Sequence, residues 1–401
     1  MLISKKKRAI VLRLKNPERI TAVIPKAKLF THNGKQFVAV KHGVDQVKVL
    51  RNIGINAPSP IKHYYAWPGR FKPFLAQRDT ADFLTSHNRG FVLNDIGTGK
   101  TLSCLWAFDY LKSIGVVNKV LVVTPLSTIE RTWADECWQH FPHLEVAVVY
   151  GAGQKRLDML KQDADIYLIN HDGLKVAGIV EALKDRADID LVIVDEIAQV
   201  ARNAGTDRFR ALNTVVNKQV PRRCWGLTGT PIPNKPTDAW AQCRLLVPDK
   251  VPPYFTRFRD QVERQVTNFL WVPRPNALQV VEEAMQPAIR FSRDECVDLP
   301  PCTYQVRQVE LTAPQKKAYK EMLTKLKTEI DNGEVLAVNE AVKAQKLIQI
   351  TCGALYGDDR EVLEVDARPR LEVVNEVVEE AGTKVIVFVP FVSVVGTVSK
   401  Y

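Results

Sequence analysis

Phe91 to Thr101, FVLNDIGTGKT, places an apolar run, two glycines, a lysine and a hydroxyl in the order that phosphate binding needs. Gly97 and Gly99 permit a tight turn that points backbone N–H groups inward, and around Thr98 no Cβ of theirs blocks an approaching phosphate. Lys100 supplies a point charge for the β- and γ-phosphates, and the Thr101 hydroxyl is placed to hold Mg²⁺. The strict loop has a glycine where this chain has Asn94, so the loop alone also admits a strand-to-helix turn that binds nothing. A carboxylate pair, Asp195 and Glu196, closes another apolar run about a hundred residues later, the interval usual for the second motif of a P-loop domain. Asp195 there would hold Mg²⁺ and Glu196 would polarise the water that attacks the γ-phosphate. A third group, GLTGTPIPN from Gly226 to Asn234, sets the Thr228 and Thr230 hydroxyls on either side of Gly229 at one more strand tip.

These residues need a scaffold, and the sequence offers one. Strand-like runs recur at 119–125, 145–150, 165–170, 191–196 and 224–230, each followed by a helical or loop segment. They are nearly continuous in apolar residues rather than alternating, which marks strands buried on both faces, so the chain reads as α/β with a parallel sheet. Ligands gather at the carboxyl ends of such strands. The cradle, Thr124, Asn170, Asp195, Glu196, Thr228 and Thr230 all fall there. Phe74–Ser86 reads as an amphipathic helix before the cradle strand. Beyond Pro248 come a proline-rich mixed-charge stretch, helices near 313–330, 338–350 and 370–381, and an apolar run, Lys384–Pro390, that reads as a buried strand opening a second α/β domain. The domain expectation is 1–65 as a basic accessory domain, 71–248 as the nucleotide domain, 249–370 as a helical connection and 371–401 as the start of a second domain.

The 401 residues carry a net charge of +11, 46% hydrophobic and 25% charged residues, an ordinary globular balance. The charge is unevenly placed. Residues 1–70 hold 15 Lys and Arg against only Glu18 and Asp45, whereas the remainder is close to neutral. Short apolar runs (AIVLRL, ITAVIP, FVAV) separated by Asn16-Pro17 and His32-Asn33-Gly34-Lys35 predict two or three strands there, making a small basic β-domain rather than a tail. The aromatic, proline-rich segment 58–73 that follows suits either base stacking or a packed collar. Seven cysteines without CxxC or zinc spacing read as reduced packing residues. No run is long enough to span a bilayer, and Met1–Arg8 lacks the apolar core of a secretory signal, so a cytoplasmic location is expected.

NDIGTGKT, LVVTPLSTIERTW, LVIVDEIA and LTGTPIPN, in this order, resemble motifs I, Ia, II and III of superfamily two helicases, and the last resembles the Swi/Snf-type branch in particular. IRFSRDECVDLPP, KKAYKEML, KLIQITCG and KVIVFVP resemble that family's connection between two RecA-like lobes and the start of the second. The likeness covers about residues 71–401 and implies an ATP-driven motor on nucleic acid, duplex DNA in most members, of a compact kind suggesting a bacterial or phage-infected cell. It adds Gln77 as an adenine-recognising residue, Thr228, Gly229 and Thr230 as coupling residues, and Thr124, Pro125 and Asn170 as nucleic-acid contacts. Two departures bear on mechanism: Asn94-Asp95 stands where an acidic pair is usual, and Ala198 where motif II usually ends in His. Motifs V and VI, with their arginine fingers, would lie beyond Tyr401. The resulting expectation is ATP binding with poor hydrolysis unless a separately encoded second lobe completes the site. The rival reading is a non-motor nucleic-acid-binding protein that keeps an ATP-binding lobe.

Overall fold

The N-terminal stretch alternates as a half-buried sheet must. In the computed structural model, which describes residues 1–218, 222–296, 302–331, 337–356 and 362–401, strands β1 (Leu2–Ser4), β2 (Ala9–Leu12), β3 (Lys28–His32) and β4 (Lys35–Lys41) form an antiparallel sheet in the order β1-β2-β4-β3. Val38 and Val40 of β4 point inward onto Ile10, Leu12 and Ile20, while β3 is exposed along its length. Asn33 and Gly34, both at positive φ, make the two-residue turn that the Asn-Gly dipeptide favours. One expectation fails: ITAVIP is not a strand but lies largely in helix α1 (Glu18–Val23). Ile20 and Ile24 are both buried, and a spacing of four residues puts them on one helical face, a signal hidden in so short a run of β-branched residues.

Helices α2 (Val44–Asn52), α3 (Ile61–Tyr64) and α4 (Leu75–Ser86) join this sheet to the rest of the unit. Arg51 of α2 pairs with Asp82 of α4 at 2.6 Å, and Lys62 of α3 pairs with Asp79. Between them the aromatic segment forms a packed collar: Tyr65 and Trp67 meet Tyr110 and Trp106 edge-on, and the Trp106 indole donates to the Pro68 carbonyl at 2.8 Å.

The larger sheet contains β5 (Arg89–Val92), β6 (Lys119–Thr124), β7 (Val146–Val149), β8 (Ile166–Asn170), β9 (Ile189–Asp195) and β10 (Arg223–Leu227). After β10 come a hairpin, β11 (Glu263–Gln265) with β12 (Trp271–Pro273), and a two-residue strand, β13 (Ala288–Ile289). The seven-stranded order is β13-β5-β10-β9-β6-β8-β7, every pair parallel. Successive residues of one strand enter different cores: Leu121, Ile169, Val192 and Val194 pack on one face, Val122, Leu168, Leu191 and Ile193 on the other. The sheet is therefore covered on both sides, as its unbroken apolar runs imply. Helix α5 (Lys100–Ser113) leaves the cradle directly after β5.

The chain divides into two units, Met1–Leu299 and Pro300–Tyr401. The second holds helices Ala313–Asp331, Ala337–Cys352, Arg368–Ala381 and Val392–Lys400 with a small hairpin, Ala354–Tyr356 against Val362–Glu364. Three of those helices fall where sequence places them. Lys384–Pro390 differs: it belongs to no strand, and Ile386 and Phe388 are 78% and 90% exposed. A parallel strand is held by ladder partners on its edges, and among the described residues this run has none. The 297–301 end of the IRFSRDECVDLPP likeness lies outside the described residues. Four cysteines, 104, 137, 224 and 243, are buried as packing residues, whereas Cys302 is exposed.

Candidate active site

Strand register assembles the site. Leu227 of β10 lies beside Val92 of β5 on one side and Asp195 of β9 on the other, so the three strands end together. Gly97 and Gly99 take φ of 86° and 74°, the left-handed region that glycine enters without a Cβ penalty. Around Gly97 a Cβ would meet nothing within 4 Å, so this part of the loop faces open space. At Gly99 a Cβ would fall 2.0 Å from the Gln77 amide nitrogen, so a side chain there would displace that amide in addition to straining φ. Gln77 is buried; its Oε1 accepts from Phe74 N at 2.9 Å and its Nε2 lies 3.5 Å from the Gly99 carbonyl, which ties α4 to the cradle. The Thr98 hydroxyl donates to the Asp95 carbonyl. Lys100 Nζ donates to the carbonyls of Asn94 and Asp95 at 2.9 and 3.0 Å. Burial holds its ammonium below the usual lysine range, and the carboxylates of Glu196, Asp195 and Asp95 oppose that shift. Thr101 stands half-buried in the first turn of α5.

The Asp195 carboxylate is fixed by three donors: Thr124 Oγ1 at 2.9 Å and Trp133 Nε1 at 3.0 Å on Oδ2, and the Glu196 N–H at 3.1 Å on Oδ1. His171 Nε2 donates to the Asp195 carbonyl at 2.9 Å. Glu196 follows at φ 48°, ψ 51°, a left-handed conformation that costs a residue with a Cβ roughly 1–2 kcal/mol. Strain of this kind persists where the surroundings hold it, and here it turns the chain sharply at the strand tip. Burial and the neighbouring Asp195 raise Glu196 above the ordinary carboxylate range; Lys100 and a hydrogen bond from Thr228 Oγ1, 3.3 Å from Glu196 Oε2, pull it back. Thr228 Oγ1 also accepts from Thr230 N at 3.2 Å, and Gly229 packs over Ile96 and Asn94. Ala198 is buried, and the hydrogen bond from Thr228 ties the carboxylate pair to the TGT loop.

Two of the residues expected at nucleic acid lie in the interior. Thr124 is fully buried, with its hydroxyl on Asp195 and Thr128, and thus orients the carboxylate. Asn170 is buried and its Oδ1 accepts from the buried Arg156 guanidinium at 3.0 Å. Pro125 is half-buried just past the β6 tip. Sequence reasoning missed Trp133 as a carboxylate donor, although it lies within the LVVTPLSTIERTW match. It also missed the work of Asn94, which donates to Thr80 of α4 and accepts from Phe291 N, both within 3.0 Å. With Asp95 accepting from Arg293 N, this straps the segment after β13 along the cradle.

A P-loop cradle, a carboxylate pair and a hydroxyl loop at adjoining tips of a parallel sheet define a P-loop α/β protein. The model of the SNF2-related domain matches residues 30–357, and the chain belongs to that family. The match begins inside β3, so it takes in part of the basic N-terminal sheet. Protein p41 of Acyrthosiphon pisum secondary endosymbiont phage 1 is 28% identical over 333 residues, covering 78% of this chain and 70% of that protein. The ATP-dependent helicase FUN30 of Saccharomyces cerevisiae is 28% identical over 309 residues, 71% of this chain and 26% of the helicase, so the chain spans about a quarter of that relative. Among solved structures, the Sulfolobus solfataricus SWI2/SNF2 ATPase core in complex with dsDNA shares the fold, with a TM-score of 0.51, 21% identity and coverage of 83% of this chain and 70% of that one.

Proposed function

We propose that this chain binds ATP with Mg²⁺ as the nucleotide lobe of a DNA-dependent ATPase of the helicase type, coupling hydrolysis to movement along, or remodelling of, duplex DNA. The observation that carries the reading is the common ending of β5, β10 and β9, which brings Lys100, Thr228, Asp195 and Glu196 together at one edge of the sheet with Thr228 bonded to Glu196. Lys100 exchanges two neutral carbonyl acceptors for phosphate oxygens, a charge-assisted and therefore stronger pairing. Thr101 and Asp195 would hold Mg²⁺, Asp195 through the lone-pair direction that its three donors leave free. Among the described residues no cluster of three or more His, Cys, Asp or Glu could hold a metal, which suits an ion that takes one or two side chains plus phosphate oxygens and water. When bound, that ion neutralises developing phosphate charge. Glu196, with its raised pKa, orients and deprotonates the attacking water, a task that favours a base nearer neutrality than an exposed carboxylate. Thr228 then passes the state of Glu196 to the TGT loop.

The DNA part of the reading is supported by the basic N-terminal sheet and by two relatives, one named an ATP-dependent helicase and one solved in complex with dsDNA. The test is nucleotide titration followed by ATPase rates alone and with duplex DNA, single-stranded DNA and RNA. Lys100→Ala should weaken ATP affinity about 10- to 100-fold, the worth of hydrogen bonds to a charged group. Duplex DNA should stimulate the wild type most. Equal affinity in wild type and Lys100→Ala would sink the cradle assignment, and stimulation by RNA alone would sink the choice of DNA.

A further inference from the structure

The β11–β12 hairpin carries the most exposed Phe, Tyr or Trp ring among the described residues of the first unit. Phe269 at its tip is 97% exposed, and Val266 and Leu270 beside it are 54% and 51% exposed. The tip is not slack. Val266 N donates to Leu270 O at 2.9 Å, and Thr267 Oγ1 accepts from both Phe269 N and Leu270 N. The base is equally fixed: the Arg259 guanidinium lies 3.7 Å from the Trp271 ring centroid, and Arg274 Nε donates to the carbonyls of Asp260 and Glu263. Three exposed apolar side chains on a braced hairpin tip have the make-up of an inserting wedge.

Its charge selects the occupant. From Arg264 to Asn276 there is no Asp or Glu, and Arg264 and Arg274 are both exposed. The hairpin's one carboxylate, Glu263, is buried and accepts from Thr237 Oγ1. Thr237 belongs to the turn directly after TGTPIPN, where the Asp238 carboxylate accepts from Asn234 N and Lys235 N. The wedge is thus rooted beside the loop that bonds Glu196.

We infer that this hairpin is a nucleic-acid pin: Phe269 stacks on an exposed base where a duplex opens, while Arg264 and Arg274 meet the flanking phosphates. This rests on the proposed function and goes beyond it by naming a contact that separates a fork from an intact duplex. Base-on-aromatic stacking is sequence-tolerant, as a motor on arbitrary sequence needs.

The experiment compares a forked DNA carrying 2-aminopurine at the first unpaired position with a blunt duplex of the same sequence, using the full chain. Phe269→Ala should weaken fork binding about tenfold, the worth of one stacked base, and abolish the 2-aminopurine response. Blunt-duplex affinity should stay near wild type, Phe269→Tyr should restore the fork preference, and the unfolding midpoint should be unchanged because the side chain touches solvent. Equal fork binding by wild type and Phe269→Ala overturns the pin while leaving the proposed function standing. A change in self-association with no change in fork affinity overturns it in favour of a second copy at the tip. If the wild type binds neither DNA, pin and proposed function fall together.

Discussion

The two larger sheets of the first unit differ in how much of each strand they bury. In β8 all five residues are buried, and β9 exposes none beyond the intermediate range; in β3 all five are exposed, and β4 buries only Val38 and Val40. A strand covered on both faces cannot tilt without displacing side chains in two cores, so its tip is a firm platform for Asp195 or Thr228. A strand covered on one face offers solvent the other, which suits a surface carrying exposed lysines. The candidate site sits on the first kind and the exposed lysines on the second. Helix α4 connects them, holding Asp82 and Asp79 against the N-terminal side while Gln77 and Thr80 reach the cradle.

The largest expected effect comes from truncating one apolar side chain to alanine in each sheet. Leu168→Ala in β8 should cost about 2–5 kcal/mol, since the lost transfer energy is joined by a cavity that neighbours on two faces cannot close. Phe30→Ala in β3 should cost about 1 kcal/mol or less, because its ring is 42% exposed and stacks only on Phe37 at 5.6 Å. Denaturant unfolding checks both. Equal losses would mean that the N-terminal sheet is as load-sensitive as the central one.

A smaller effect separates the site from its platform. Thr228→Val keeps the volume and deletes the hydroxyl that pulls the Glu196 pKa back down. In the proposed role Glu196 would work as a base only when ionised, so activity should fall as pH drops through its folded pKa, which lies above the ordinary carboxylate value. Losing the hydrogen bond raises that pKa further. The acidic limb of the pH–rate profile should therefore move to higher pH in Thr228→Val and disappear in Glu196→Gln. A limb that stays in place in Thr228→Val would show that the bond does not tune Glu196.

Legibility in the sequence followed the same division. The central strands were readable because burial on both faces leaves continuous apolar runs, and the cradle and carboxylate pair because their residue types are bound to local backbone turns. What stayed hidden depends on partners far along the chain. Trp133 reaches Asp195 across 62 residues, and Asn94 accepts from Phe291 across 197. Thr124 sat at the expected strand tip, yet which way a tip hydroxyl faces is decided by the neighbouring strand, here β9. β13 is only two residues long and leaves no periodic trace. Near the C-terminus the apolar run 384–390 has strand composition, but composition does not supply a ladder partner.

The smallest expected effect tests whether the solvent-facing side of the N-terminal sheet touches nucleic acid at all. Lys26, Lys28 and Lys35 are exposed around the β3–β4 hairpin, and no acidic residue lies between Glu18 and Asp45 to offset them. Replacing the three with Gln removes charge without disturbing the inward set of Val38, Val40, Ile10 and Leu12, so folding should be unaffected. Each lysine that contacts a phosphate releases condensed counterions and adds about −0.9 to the slope of log affinity against log salt for duplex DNA. Three contacts would flatten the slope by about 2.7 and leave the fork-over-duplex preference intact, because phosphate contacts are blind to base exposure. Phe269→Ala should do the reverse, removing the preference and sparing the slope. An unchanged slope in the triple variant would mark the lysine face as a solvated surface and leave DNA contact to the hairpin and the strand-tip face of the central sheet.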